Sequence, residues 1–273
     1  MCAMARAKAR HEVRRIHGEQ PTPFFKLFYA AGPAGSPHLS HEAFVAALEE
    51  AHTLGMRVDV HPGTVADYIA AVEAGADLLM HAPNDGLLTD EDLTRLVKLK
   101  TPFVPTLRAF AYSTEACRGK WVPVEEAHVP QEIRDVFLRP TKRFQHLDLA
   151  DWSQDFARNN HDLQANAARM VAAGIPYFAG TDTGVSGQFP GVALHVELER
   201  MVEMGLSPVD VLKSATSAPA AFLDPTGSIG RVAPGQRADL LLVRGDPTQD
   251  ITATARLLGI WVEGRFVEPW GTD

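Results

Sequence analysis

From residue 24 onward, short unbroken apolar runs alternate with stretches whose apolar positions recur every three or four residues. An apolar run without alternation suits a strand covered on both faces of a parallel sheet, and the intervening period is that of a helix packed against such a sheet. The pattern predicts strands at 24–30, 57–61, 77–81, 103–107 and 177–181. It predicts helices over 42–54, where Phe44, Val45, Leu48 and Ala51 share a face, and over 65–74, 90–99, 157–173, 192–204 and 208–217. Strands and helices in strict alternation are the signature of βα units, so the fold class expected is α/β.

The two ends and the middle read differently. Residues 4–10 alternate small and charged side chains, and Val13 and Ile16 follow at helical spacing. A helix leading into the first strand accounts for this; a basic arm for an acidic partner is the alternative reading. Between 108 and 160 the periodicity weakens and Pro123, Pro130 and Pro140 interrupt it, which predicts a long excursion with some helix, of the kind that covers a site. Beyond 226 the pattern becomes that of short strands at 238–243 and 260–267. The second is folded at Glu263-Gly264 into a tight hairpin, and Pro234-Gly235 suits a type II turn. So few strands do not make a stable sheet alone, so they pack on the main domain or complete a sandwich. The expected organisation is a main domain over 1–226 and the strands of a small β-sandwich over 227–273.

Composition narrows the class of partner. A chain of 273 residues buries about three quarters of its unfolded surface, enough for a substantial core. Its 34 acidic and 26 basic side chains leave a net charge of -8, which disfavours nucleic acid and leaves small molecules as the expected partners. Cys2 and Cys117 form no spaced framework, as in a reduced, cytoplasmic chain. No apolar stretch has the length of a membrane span or the layout of a signal peptide, so no membrane partner is expected.

Candidate chemistry sits at the ends of the predicted strands. His61 and His81 are one strand-helix-strand unit apart, and each stands where a βα loop begins. Carboxyl ends of neighbouring parallel strands converge on one face, so two such imidazoles can serve one site. Either one alone also fits a loop residue or a capped core side chain. Asp182, in Gly180-Thr181-Asp182-Thr183-Gly184, follows an apolar strand, where it could bind a metal or act as general base; an Asx-type cap of the next turn is the alternative. Lys26 is the one charge in Phe24-Phe25-Lys26-Leu27-Phe28-Tyr29, either part of the same site or a guard on an edge strand. His38 and His195 lie nearer the expected mouth, whereas His11, His17, His52, His128, His146 and His161 read as surface residues.

At these residues the chain resembles the amidohydrolase superfamily, in its imidazolonepropionase-like and prolidase-like branch. The resemblance runs from about Phe24 to the end. It rests on Phe25-Lys26-Leu27, Val60-His61, the run from Ala74-Gly75-Ala76-Asp77 to His81, Ala179-Gly180-Thr181-Asp182, Ala233-Pro234-Gly235 and Ala238-Asp239-Leu240-Leu241. Gly245-Asp246-Pro247 and Val262-Glu263-Gly264-Arg265 resemble the family's closing β-sandwich. The resemblance implies a (β/α)8 barrel of the TIM type holding one or two divalent metal ions, usually zinc, that activate water for attack on the carbonyl of an amide or cyclic amide. It implies Lys26, carboxylated by carbon dioxide, as a bridge between two metals, His61 and His81 as ligands of the second, and Asp182 as ligand of the first and proton shuttle. Substrate choice would lie with the loops at 30–40, at 183–191 and after Leu107, where Arg108 and Tyr112 are the candidate substrate-binding residues and Arg108 could pair a carboxylate.

The sequence departs from the family at its amino end. There is no His-x-His, and five predicted strands stand where a closed barrel needs eight, so the barrel is expected to be partial. Without the missing ligands a two-metal bridge loses its reason, and an unmodified Lys26 would be an ammonium that repels a cation. Three readings follow: a hydrolase that has lost or borrows its first strands, a silent remnant that retains one metal, and a module that recruits a partner through open sheet edges. Open edges predict a homo-oligomer or a second chain supplying strands.

Overall fold

The computed structural model describes residues 2–30, 38–115, 122–138, 149–183 and 188–268. They fall into two compact units, the first made of Met1–Pro105 and His161–Pro176. Here α1 (Cys2–Glu19) leads into β1 (Phe24–Tyr29), then α2 (His41–Thr53), β2 (Arg57–Pro62), α3 (Val65–Glu73), β3 (Leu78–Met80), α4 (Asp90–Leu99) and β4 (Phe103–Val104). The four strands form one parallel sheet in the order β1-β2-β3-β4. This is the alternating part of a partial, distorted barrel, as expected.

Sequence chemistry explains the regularity. Phe25, Leu27 and Tyr29 of β1 alternate with residues of the opposite face and are buried, and Tyr29 stacks on Phe44 of α2 at 4.1 Å. Val58 and Val60 of β2 continue that buried face. The helices α3 and α4 start at reciprocal capping boxes, Thr64 with Asp67 and Thr89 with Asp92, each satisfying two amides that would lack helical partners. Gly75, at φ 95°, ends α3 in the left-handed region and turns the chain into β3. Gly63 is needed for another reason: a Cβ there would lie 2.7 Å from the Cβ of Ala30, so the loop after β2 passes against the end of β1 only because glycine has none.

The second unit comprises Thr106–Asn160 and Tyr177–Asp273. It holds α5 (Leu107–Glu115), α6 (Pro123–His128), α7 (Gln131–Leu138), the first half of α8 (Leu149–Ala172), α9 (Val192–Glu203), α10 (Pro208–Ser214) and α11 (Ser217–Leu223). An antiparallel sheet of β5 (Leu240–Val243), β6 (Leu257–Val262) and β7 (Arg265–Val267) closes the chain. The core helix is α9, which buries Ala193, Val196, Leu198 and Met201 and packs against α5, α6, α10 and the 3-10 turn Ile251–Ala255. The β6-β7 hairpin turns at Glu263 and Gly264, with φ of 51° and 77°, the two left-handed residues that a type I′ turn demands.

Three element expectations are corrected. The stretch 177–181 forms no ladder: Tyr177 makes an isolated bridge, and the amide of Ala179 donates to Ser214 O at the end of α10 instead of to a strand. The strand expected at 103–107 stops at Val104, because Thr106 at φ 52° turns the chain and Leu107 already begins α5. The helix expected over 208–217 breaks at Ala215 and Thr216 into α10 and α11.

Candidate metal centre

The face of the sheet opposite α2 carries the polar residues. Parallel register sets Lys26 beside Asp59 and Phe28 beside His61, and the alternation that buries Val58 and Val60 turns Asp59 and His61 to this other face. The imidazole of His61 stacks on the ring of Phe28, with centroids 4.3 Å apart and planes 19° apart. In β3, Leu78 pairs with Asp59 and Met80 lies two residues on, so strict alternation would send His81 to the helix side. It does not go there. His81 adopts φ 67°, a left-handed conformation that costs a non-glycine residue about 1–2 kcal/mol, and its buried ring meets His61 edge to face at 4.5 Å. His81 Nε2 stands 2.8 Å from His61 Nδ1, sharing one hydrogen bond.

The electrostatics of this group follow from burial and from Lys26. Desolvation, with Lys26 adding to it, holds His61 down to about 4. His81 is pushed to about 3, first by burial and then by the neighbouring His61 and Lys26. Both rings are therefore neutral at neutral pH, the state in which imidazole nitrogen offers a lone pair. Asp59 is raised to about 6 by burial, against the pull of Lys26, and its Oδ1 is buried without a hydrogen-bond partner. Sequence reading passed over Asp59. The signal was present, since Arg57, Asp59 and His61 alternate with Val58 and Val60, placing a carboxylate on the same strand face two residues below the histidine.

Lys26, His61 and His81 thus share one face of one unit. Asp182 and Arg108 belong to the other unit. Asp182 is exposed at φ 53°, so the cost of a buried carboxylate does not arise for it, and Gly184 lies outside the described residues. Arg108 is fully buried, donating from Nε and Nη2 to Glu125 Oε1 at 3.1 and 2.5 Å. A substrate carboxylate would have to displace Glu125 to reach those nitrogens. Tyr112 lies in α5, and its side chain is outside the described residues, as are 31–37 and 184–187 of the two candidate substrate loops. Glu197 of α9 accepts the amides of Leu107 and Arg108 at 2.9 and 2.8 Å, and so caps the amino end of α5.

Among the described residues no three His, Cys, Asp or Glu side chains are grouped so as to hold a metal ion. The two imidazoles nevertheless suit one as a pair. Two nitrogens on a tetrahedral zinc stand about 3.3 Å apart, so the observed 2.8 Å needs an opening of roughly half an ångström. The rings are neutral and are held by Phe28 stacking and by a left-handed backbone.

The model of the Amidohydrolase family matches residues 2–267. An uncharacterized protein of Mycobacterium bovis is 27% identical over 217 residues, which are 78% of this chain and 48% of that protein. Among solved structures, a Xaa-Pro dipeptidase with bound methionine in its active site superposes with a TM-score of 0.71 at 21% identity, covering 97% of this chain and 59% of the dipeptidase. An amidohydrolase superposes at 0.72 and 23% identity, covering 96% and 58%. These structures share the fold, and this chain spans about half the length of the curated relatives it matches.

Proposed function

The chain belongs to the amidohydrolase family, and from that premise we propose that it carries the chemistry of a metal-dependent hydrolase that cleaves the C–N bond of an amide or cyclic amide with water. The reading is carried by one observation, the convergence of His61 Nδ1 and His81 Nε2 at 2.8 Å on the open face of the parallel sheet. A divalent ion, zinc by the chemistry of the donors, would supply Lewis acidity that lowers the pKa of bound water and polarises the carbonyl. His61 and His81 would hold it, with Phe28 fixing the plane of the first ring.

Lys26 has two available roles. As a carbamate it would be a bridging ligand, but its register neighbour Asp59 carries charge of the same sign and opposes that state. As an ammonium it balances Asp59 and adds to the burial that keeps the two imidazoles neutral. The second role favours a site with one ion. Asp182, in the second unit, is proposed as the proton shuttle that the family resemblance implies. Arg108 and Tyr112 are proposed as substrate-binding residues of the second unit, Arg108 on condition that Glu125 yields. Dipeptides are the first substrates to examine, since a dipeptidase is among the structures sharing this fold.

The decisive experiment measures zinc in purified protein alongside hydrolysis of Xaa-Pro dipeptides and N-acyl amino acids. About one zinc per chain is expected, lost in His61→Ala and in His81→Ala with the circular dichroism spectrum unchanged. Undiminished zinc in both variants would sink the assignment. A second reading, a metal-holding remnant without turnover, is favoured by the lack of a third grouped ligand among the described residues. Bound zinc with no hydrolysis of any member of the panel would select it.

A further inference from the structure

The second unit contains a cavity of about 390 Å³ that none of Asp182, Arg108 and Tyr112 lines. Its walls come from α6 and the start of α7, the turn into α9, the 3-10 turn and β6, chiefly as Val124, Ile133, Phe189, Val192 and Ile260. That volume falls within the range of small-molecule sites, which are typically apolar with a few placed polar groups. The polar groups here are two imidazoles, His128 and His195, and the lining has no Lys, Arg, Asp or Glu.

Hydrogen bonding fixes what the two rings can offer. Thr254 gives its hydroxyl proton to Ile251 O at 2.8 Å, so at its 3.1 Å contact with His195 Nδ1 it can only accept. His195 therefore carries its proton on Nδ1 and a lone pair on Nε2. His128 Nδ1 lies 2.9 Å from Val124 O, a carbonyl that can only accept, so in the neutral ring Nε2 is again the bare nitrogen. Burial and the nearby His128 hold His195 below its ordinary value, which keeps its ring neutral. The cavity thus combines apolar walls with the acceptor nitrogen of His195, and no Lys or Arg lines it to receive an anion. A carboxylate would meet the lone pair of His195, and a wholly apolar molecule would leave that nitrogen desolvated without a partner.

We propose that this cavity is a binding site for a small, largely apolar molecule of one or two rings that carries a single N–H or O–H donor, recognised by Nε2 of His195. Indole is the matched probe, and 1-methylindole has the same shape without the donor. Calorimetric titration should show one indole site. Affinity should be about tenfold weaker for 1-methylindole, the loss of one hydrogen bond, and equally reduced for indole on His195→Phe, which keeps a ring and removes the acceptor. Val192→Trp should fill the cavity and abolish binding with the circular dichroism spectrum retained. The comparison of the two probes on the unaltered protein decides the matter even if both variants fail to fold. No indole binding, equal affinity for the two probes, or undiminished binding in folded Val192→Trp would overturn the proposal.

Discussion

At the scale of single residues, His81 decides the site. Strand alternation alone would separate its ring from that of His61, and a left-handed φ of 67° reunites them. Such strain, observed at a strand end where two potential ligands meet, is of the kind functional sites keep. The pair has a consequence for the metal-free protein. His61 and His81 titrate near 4 and 3 in the fold but near 6.5 in an unfolded chain, so between those values the unfolded state binds more protons. By linkage, their contribution is fully present above about 6.5 and is lost as pH falls toward 4. Asp59, raised from 3.8 to about 6, works in the opposite sense over part of that window and offsets one of the two protons. The expected result is that a His61→Ala, His81→Ala double variant gains urea midpoint at about pH 5 relative to about pH 7 when compared with the wild type. An identical difference between the two pH values in the double variant would refute the assignment of these titrations. The strand-end positions of His61 and His81 and the lone charge of Lys26 within its apolar strand were legible in the sequence. Asp59 was legible only as one beat of an alternation, because its importance comes from a cross-strand neighbour, Lys26, 33 positions away.

At the scale of elements, most helices were readable because their signals are local. The capping box at Thr89 and Asp92 is written in four consecutive residues, and α4 begins there. Thr89→Ala should lower stability by about 1 kcal/mol, the usual loss for a removed N-cap, measured by denaturant titration; an unchanged midpoint would show that the cap is not limiting. The start of α5 was not readable, because its cap comes from Glu197, about ninety positions later in α9. That carboxyl is raised from 4.5 to about 7 by burial, although the two amides and Arg108 pull it down. The fold therefore retains a proton that the unfolded chain releases between 4.5 and 7. Stability from this group is fully present below 4.5 and declines as pH rises through about 7, the opposite of the His pair. Replacement by Gln should remove this falling contribution, so that the urea midpoint at about pH 8 relative to about pH 5 is higher in the variant than in the wild type; an unchanged difference would exclude Glu197 as a source. The strand expected at 177–181 failed for a related reason. Its apolar run is real, but a strand needs a partner, and the amide of Ala179 found Ser214 O.

For the whole molecule, the open apolar surface is the feature with consequences. Leu241 and Leu242 are adjacent in β5 and are 59% and 52% exposed, so both faces of the C-terminal sheet present apolar side chains to solvent, joined by Phe266 at 57%. The chain is expected to self-associate through this sheet. Light scattering after size exclusion should show species above the monomer mass, reduced by Leu242→Lys; a compact monomer at about 0.1 mM would refute this. No described helix is long and apolar enough to cross a membrane. What could be read without coordinates was whatever neighbouring residues encode together: the βα alternation, the hairpin at Glu263-Gly264, the capping boxes and the chemical types gathered at strand ends. The meeting of His61 with His81, the pairing of Lys26 with Asp59, the burial of Arg108 against Glu125 and the cavity between His128 and His195 needed the fold. Each depends on contacts between segments far apart in the chain, and the energies that select them, desolvation and close packing, exist only once those segments are in place.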